Sequence, residues 1–115
     1  MATAEIDGKG RLRLNSAGLP DLFVSLLRSE TVTEWEVKRI SIADTVVQTI
    51  DFGGVGAAKW FAFVADGNVK FEVNATTPRV VSRVVAVNDP SGAITAAKIE
   101  NASGATRLVD VFIAG

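Results

Sequence analysis

The sequence predicts a single all-β domain, a jelly-roll-like β-sandwich of about eight short strands. Three observations point there. Valine, isoleucine and threonine number 16, 7 and 9 of 115 residues, and β-branched side chains fit a pleated surface better than a helix. Turn-forming clusters recur between short apolar runs. Apolar residues make up 48% of the chain, beside ten glycines, a load that requires a packed core and excludes disorder.

The first strand signal is Arg11-Leu12-Arg13-Leu14, whose alternation sets the leucines against the arginines. With Ile6 it predicts a hairpin about Asp7-Gly8-Lys9-Gly10, so residues 1–18 are expected to form a hairpin or arm. Leu19 to Leu27 fits both periods: Leu19, Leu22, Phe23, Leu26 and Leu27 follow helical spacing, while Leu22, Val24 and Leu26 alternate. Both assignments stay open, with strand preferred over Leu22 to Arg28. From Val32 to Ile42 the apolar parity changes between Trp35/Val37 and Ile40/Ile42, which predicts a bulge near Lys38-Arg39.

Val46 to Phe52 reads as a strand ending in the turn Gly53-Gly54-Val55-Gly56. Lys59 to Ala65 carries large side chains on both parities and is expected to be covered on both faces, as a sandwich-core strand or as part of a subunit contact. Asp66-Gly67-Asn68 then separates it from the alternating Val69, Phe71 and Val73, a strong hairpin signal. Arg79 to Val87, Ala93 to Glu100 and Ala105 to Ile113 complete the strands, with turns at Asn88-Asp89-Pro90-Ser91-Gly92 and Asn101-Ala102-Ser103-Gly104. The last strand is apolar on both parities and is expected to be largely buried. No repeat or linker divides the chain.

Composition narrows the chemistry. Cysteine and histidine are absent, which removes disulfides, thiolate and imidazole metal ligands, and the usual near-neutral general base. No cofactor or metal site is expected. A net charge of −1 offers no global positive field for nucleic acid. The charged, glycine-containing start lacks the apolar stretch of a secretory signal, so synthesis and retention in a cytoplasm are expected. The apolar run Trp60 to Ala65 is too short to span a bilayer as a helix. Asn74-Ala75-Thr76 and Asn101-Ala102-Ser103 match the glycosylation pattern, but polar turns explain them more simply.

Each chemical motif meets a plainer reading. Asp51-Phe52-Gly53 matches a kinase magnesium-binding tripeptide, yet a chain of 115 residues has no room for the remaining machinery, and a strand end before a glycine turn suffices. Gly54-Val55-Gly56 lacks the third glycine of a dinucleotide loop, because Lys59 holds that position. Glu34 and Glu36 share a strand face and can do acid–base work or bind a hard cation; a solvated face is preferred. The serines have no histidine to activate them, so no catalytic residue is assigned. Lys9, Arg11 and Arg13 recur at every second position and offer a basic strand face for an acidic partner, or a charge-protected edge. Trp35 and Trp60 can stack on sugars or bases, but core packing is preferred for both.

The segment Trp60 to Asn74, the turn Ile99-Glu100-Asn101-Ala102-Ser103-Gly104 and the ending Leu108 to Gly115 resemble small virion proteins of tailed bacteriophages. The resemblance covers the C-terminal half of the chain. It implies a non-enzymatic virion structural protein of the capsid cement or decoration type, which oligomerises and bridges major-capsid subunits. A tail, collar or baseplate component is the alternative within that class, and a carbohydrate-binding module is the alternative outside it. The expected partners are copies of the chain itself, with a trimer favoured, and the major capsid protein or other virion proteins, without nucleic acid or membrane. Lys9, Arg11 and Arg13 are the expected capsid contacts, and Trp60 and Phe63 the expected core or subunit-packing residues.

Overall fold

The computed structural model describes residues 2–12, 22–75 and 80–115. Those residues form eight strands: β1 (Ala2–Leu12), β2 (Leu22–Val32), β3 (Trp35–Ile42), β4 (Val47–Thr49), β5 (Trp60–Val73), β6 (Val80–Asn88), β7 (Ala97–Glu100) and β8 (Arg107–Ala114). The all-β class, the β-sandwich-like build and the strand number agree with the sequence.

The strands make two sheets. β1 and β2 pair antiparallel along their full lengths as a two-stranded ribbon, Ala2 opposite Val32 and Leu12 opposite Leu22. The other six form one curled sheet in the order β3-β8-β5-β7-β4, with β6 on the second edge of β5. The strand preference over residues 22–28 is therefore correct, and the N-terminal hairpin is not. Asp7 to Gly10 continue β1, because the pairing partner is the more distant β2. Arg13 and Leu14 lie outside the described residues.

The Asp66-Gly67-Asn68 signal is also overridden. β5 runs through it as one 14-residue strand. Its pairing with β6 jumps from Val64↔Val84 to Val69↔Ser82, so residues 65–68 oppose Arg83 alone. The break is where β5 changes neighbours, from β8 (last pair Ala65↔Val109) to β7 (first pair Lys70↔Glu100). Asp66 Oδ1 accepts from the Leu108 N–H at 3.1 Å, and the Arg107 guanidinium lies where a Cβ on Gly67 would stand. An Asp-Gly pair thus serves a bulge here rather than a two-residue turn.

β3 pairs with β8 in unbroken register from Trp35↔Ala114 to Ile42↔Arg107, so the bulge expected near Lys38-Arg39 is absent. The parity change has another cause: Ile40 and Ile42 point into the core, while Trp35 and Val37 lie on the outer face. The core lies on the concave side. Phe61, Phe63, Val109, Val111 and Ile113 pack there against Ile50, Phe52, Val55, Ile94 and Ile99. The rings of Phe52 and Phe61 stack at 6.5 Å, and Phe63 meets Phe71 edge-on at 5.7 Å.

The polar turns close this core. Asn101, fully buried, donates through Nδ2 to the carbonyls of Ile42 (2.8 Å) and Ala105 (2.7 Å), and its Oδ1 accepts from Ser103 N–H (3.1 Å) and Oγ (2.7 Å). Asn74 plays the same part on the surface, with Oδ1 accepting from the Thr95 and Ala96 N–H groups and Nδ2 donating to Ala93. Both glycosylation-pattern asparagines therefore use their amides to bind turns. Asp51-Phe52-Gly53 is a turn as well: Asp51 Oδ1 accepts from the Gly53 N–H at 2.8 Å, and Gly53 has φ 59°.

Candidate functional site

The convex face of the main sheet is built by the strand register. On β3 the outward parity is Trp35, Val37, Arg39 and Ser41. Register aligns Val37, Phe112, Ala62 and Ala86 in one row across β3, β8, β5 and β6, and Arg39, Asp110, Val64 and Val84 in the next. The result is an apolar outer surface with a shallow groove of about 300 Å³ between Val37, Ala62, Val64, Val84 and Phe112. Val37 is 68% exposed, Val84 67% and Val64 53%. Several adjoining apolar side chains in solvent are unusual for an isolated domain.

One ion pair interrupts this surface. Arg39 Nε donates to Asp110 Oδ1 at 2.7 Å and Nη2 to Oδ2 at 3.2 Å, a bidentate pair across β3 and β8. The hydrogen bond from Arg39 holds the Asp110 carboxyl below its ordinary pKa, and Asp110 raises that of Arg39. The pair cancels its own charge, so these two rows are apolar and carry no net charge.

The next row, Trp35-Ala114-Trp60-Asn88, is where the ribbon attaches. Ala4 of β1 and Val32 of β2 pack with Trp60 and Ala114, and Phe112 borders the cluster. Trp60 is thereby buried, with its indole N–H lacking a hydrogen-bond partner among the described residues. Asn88 Nδ2 donates to the Lys59 carbonyl at 3.1 Å, and Lys59 Nζ to the Thr31 carbonyl at 2.8 Å, which fixes the ribbon's base.

The expected site residues separate. Trp60 and Phe63 are both buried, on opposite faces of β5, Trp60 under the ribbon and Phe63 in the main core. Lys9 and Arg11 lie on β1 opposite Ser25 and Phe23 and share one parity; Arg13 lies outside the described residues. Trp35 corrects the core assignment: it is 56% exposed, because the ribbon covers the Trp60 end of its row and leaves the β3 end open. It lines an open depression with Thr33, Glu34, Glu36 and Gly54. Leu108 is a second correction, since β8 is buried on the Val109/Val111/Ile113 parity while Leu108 is half exposed. The double-sided cover expected for Lys59 to Ala65 holds at Trp60 and fails at Val64.

The sequence allowed a sandwich-core strand or a subunit contact for these double-sided strands, and within the single chain the first alternative does not hold for the outer face. Strands with apolar residues on both parities were expected to be covered on both sides, by the core or by another subunit, and only one side is buried within this chain. Among the described residues no group of three or more acidic side chains is arranged to hold a metal ion. No family model, curated protein or solved structure matches the chain.

Proposed function

We propose that this chain is a non-enzymatic structural component of a tailed-bacteriophage virion, of the capsid cement or decoration type, that acts as a homo-oligomer bridging major-capsid subunits. The observation that carries the reading is the uncovered apolar face of the main sheet. A domain of this size that leaves Val37, Val64, Val84 and Leu108 in solvent gains stability when a protein covers them. A cement role uses many such weak contacts repeated over a lattice, so that their sum resists expansion without turnover. A tail, collar or baseplate position uses the same surface. A closed ring, with a trimer favoured, is the expected oligomer, and the basic parity of Lys9 and Arg11, with Arg13, is the expected capsid contact.

Native mass spectrometry across a concentration series tests the reading. A discrete oligomer is the expected outcome, and a monodisperse monomer throughout overturns it. Cosedimentation with phage capsids locates the contact: charge reversal at Lys9, Arg11 and Arg13 should lower occupancy while leaving the far-ultraviolet dichroism unchanged. Equal occupancy would remove those three residues from the interface.

A carbohydrate-binding reading has one observation in its favour, the exposed Trp35 indole beside Glu34 and Glu36, since a ring face next to carboxylate acceptors suits a sugar. Titration with an oligosaccharide panel decides it: tryptophan fluorescence that saturates in the native chain and is flat in Trp35→Ala supports sugar binding.

A further inference from the structure

The exchange of neighbours along β5 opens the sheet at one place. At the bulge over residues 65–68, β8 leaves β5 after Ala65↔Val109, and β7 joins it only at Lys70↔Glu100. The turn from Asn101 to Ala105 spans the gap between the two strands, and the bulge re-aims the side chains beside it. The result is a cleft of about 320 Å³ between Asn68, Lys70, Val81, Ser103 and Arg107, large enough for a small molecule.

The charge of this cleft is positive in a chain whose net charge is −1. Lys70 and Arg107 line it, no carboxylate does, and neither cation forms an ion pair among the described residues. Bordering acids are directed elsewhere. Asp66 accepts from the Leu108 N–H at 3.1 Å and Asp44 from the Gly104 N–H at 2.9 Å, while Glu100 stands opposite Lys70 in register without lining the cleft.

Arg107 is also held in place before any ligand arrives. Its Nε donates to Ser103 Oγ at 2.8 Å, that hydroxyl bonds Asn101 Oδ1 at 2.7 Å, and Asn101 is fully buried on the Ile42 and Ala105 carbonyls. The guanidinium lies against Gly67, in space that a Cβ would fill. With Nε engaged, Nη1 and Nη2 have no partner among the described residues, and that end of the fork suits two oxygens of one oxyanion. Such a prearranged donor set loses little freedom on binding. Lys70 adds a point charge, and Val81, 56% exposed, an apolar wall.

We propose that this cleft binds a small organic anion, its oxyanion group held between Arg107 and Lys70 and its apolar part against Val81. The site lies within one chain and does not depend on assembly. Amide NMR spectra of the isotope-labelled full chain, titrated with inorganic phosphate, phenyl phosphate and benzoate, test it. Saturable shifts should appear at Asn68 to Lys70, Val81 and Ala102 to Arg107, with phenyl phosphate binding more tightly than inorganic phosphate because it reaches Val81. Sodium chloride at the same ionic strength should not reproduce them. Saturation by phenyl phosphate without benzoate assigns a phosphate ester, and saturation by both assigns carboxylates as well. Lys70→Gln should weaken binding about fivefold and Arg107→Gln at least about tenfold. Lys70 is exposed, so its variant reads binding even where Arg107→Gln disturbs the turn. The proposal is overturned by the absence of saturation with all three probes, by equal shifts in chloride, or by native affinity in both variants. A tetraglutamate peptide that saturates where the three probes fail overturns the small-molecule assignment.

Discussion

The two faces of the main sheet are made by the same strands from similar residues, yet they lead different lives. On the concave side Phe61, Phe63, Val109, Val111 and Ile113 are buried. On the convex side, one residue away along the same strands, Val64, Leu108 and Phe112 meet the ribbon at one end and solvent at the other. Local hydrophobicity therefore does not determine burial here. Cover does, and the chain supplies it through Ile50, Phe52, Val55, Ile94 and β7 on one side and only through the ribbon's base on the other.

Truncation experiments can break that comparison. Phe61→Ala should cost about 3–5 kcal/mol in urea unfolding, because a fully buried ring leaves a cavity among close-packed neighbours. A loss below about 1 kcal/mol would show that the concave side is not the stabilising core. Asn101→Ala should cost about 3 kcal/mol, since it strands the Ile42 carbonyl, removes the shorter of two donors to Ala105 and frees the Ser103 N–H; a glutamine there should not rescue, being too long for the turn. Val64→Ala should change the unfolding of dilute protein by less than about 0.5 kcal/mol while weakening assembly. An equal cost for Val64→Ala and Phe61→Ala would erase the distinction between the faces.

The smallest effect sharpens the convex side. Asp110 is held below its ordinary pKa by Arg39, and Asp89 by hydrogen bonds from the Ser91 hydroxyl and N–H. A carboxyl depressed in the folded state contributes stability above its unfolded pKa and loses it as pH falls through the folded value. Melting temperature should therefore decline slightly below about pH 4, and Asp110→Asn should remove part of that decline. An unchanged acid limb would mean that the Arg39–Asp110 pair is fully screened.

The same contrast explains what the sequence could say. Branched residues and turn clusters located strands because those preferences are local, and the turn at Asp89 to Gly92 formed as its residues dictate. Asp66-Gly67 and Asp7-Gly8 misled because a turn signal states what the backbone tolerates, whereas pairing is decided by strands distant in sequence. Asp66 became the point where β5 exchanges β8 for β7, and Asp7 was carried straight through by β2. The outer face was legible as residues and illegible as a surface. Val37 with Phe112, and Val64 with Val84, become neighbours only through a register that joins residues far apart in the chain.

The position of β8 also bears on how the molecule is made. It lies between β3 and β5, yet it follows β3 by more than sixty residues. Until residues 107–114 are available, β3 lacks its neighbour and β5 lacks one edge of its first half, with their apolar side chains and backbone amides open to other nascent chains. Such late, long-range closure makes folding slow and its intermediates adhesive. Fragments ending before Arg107 should then collect in inclusion bodies rather than behave as smaller versions of the domain.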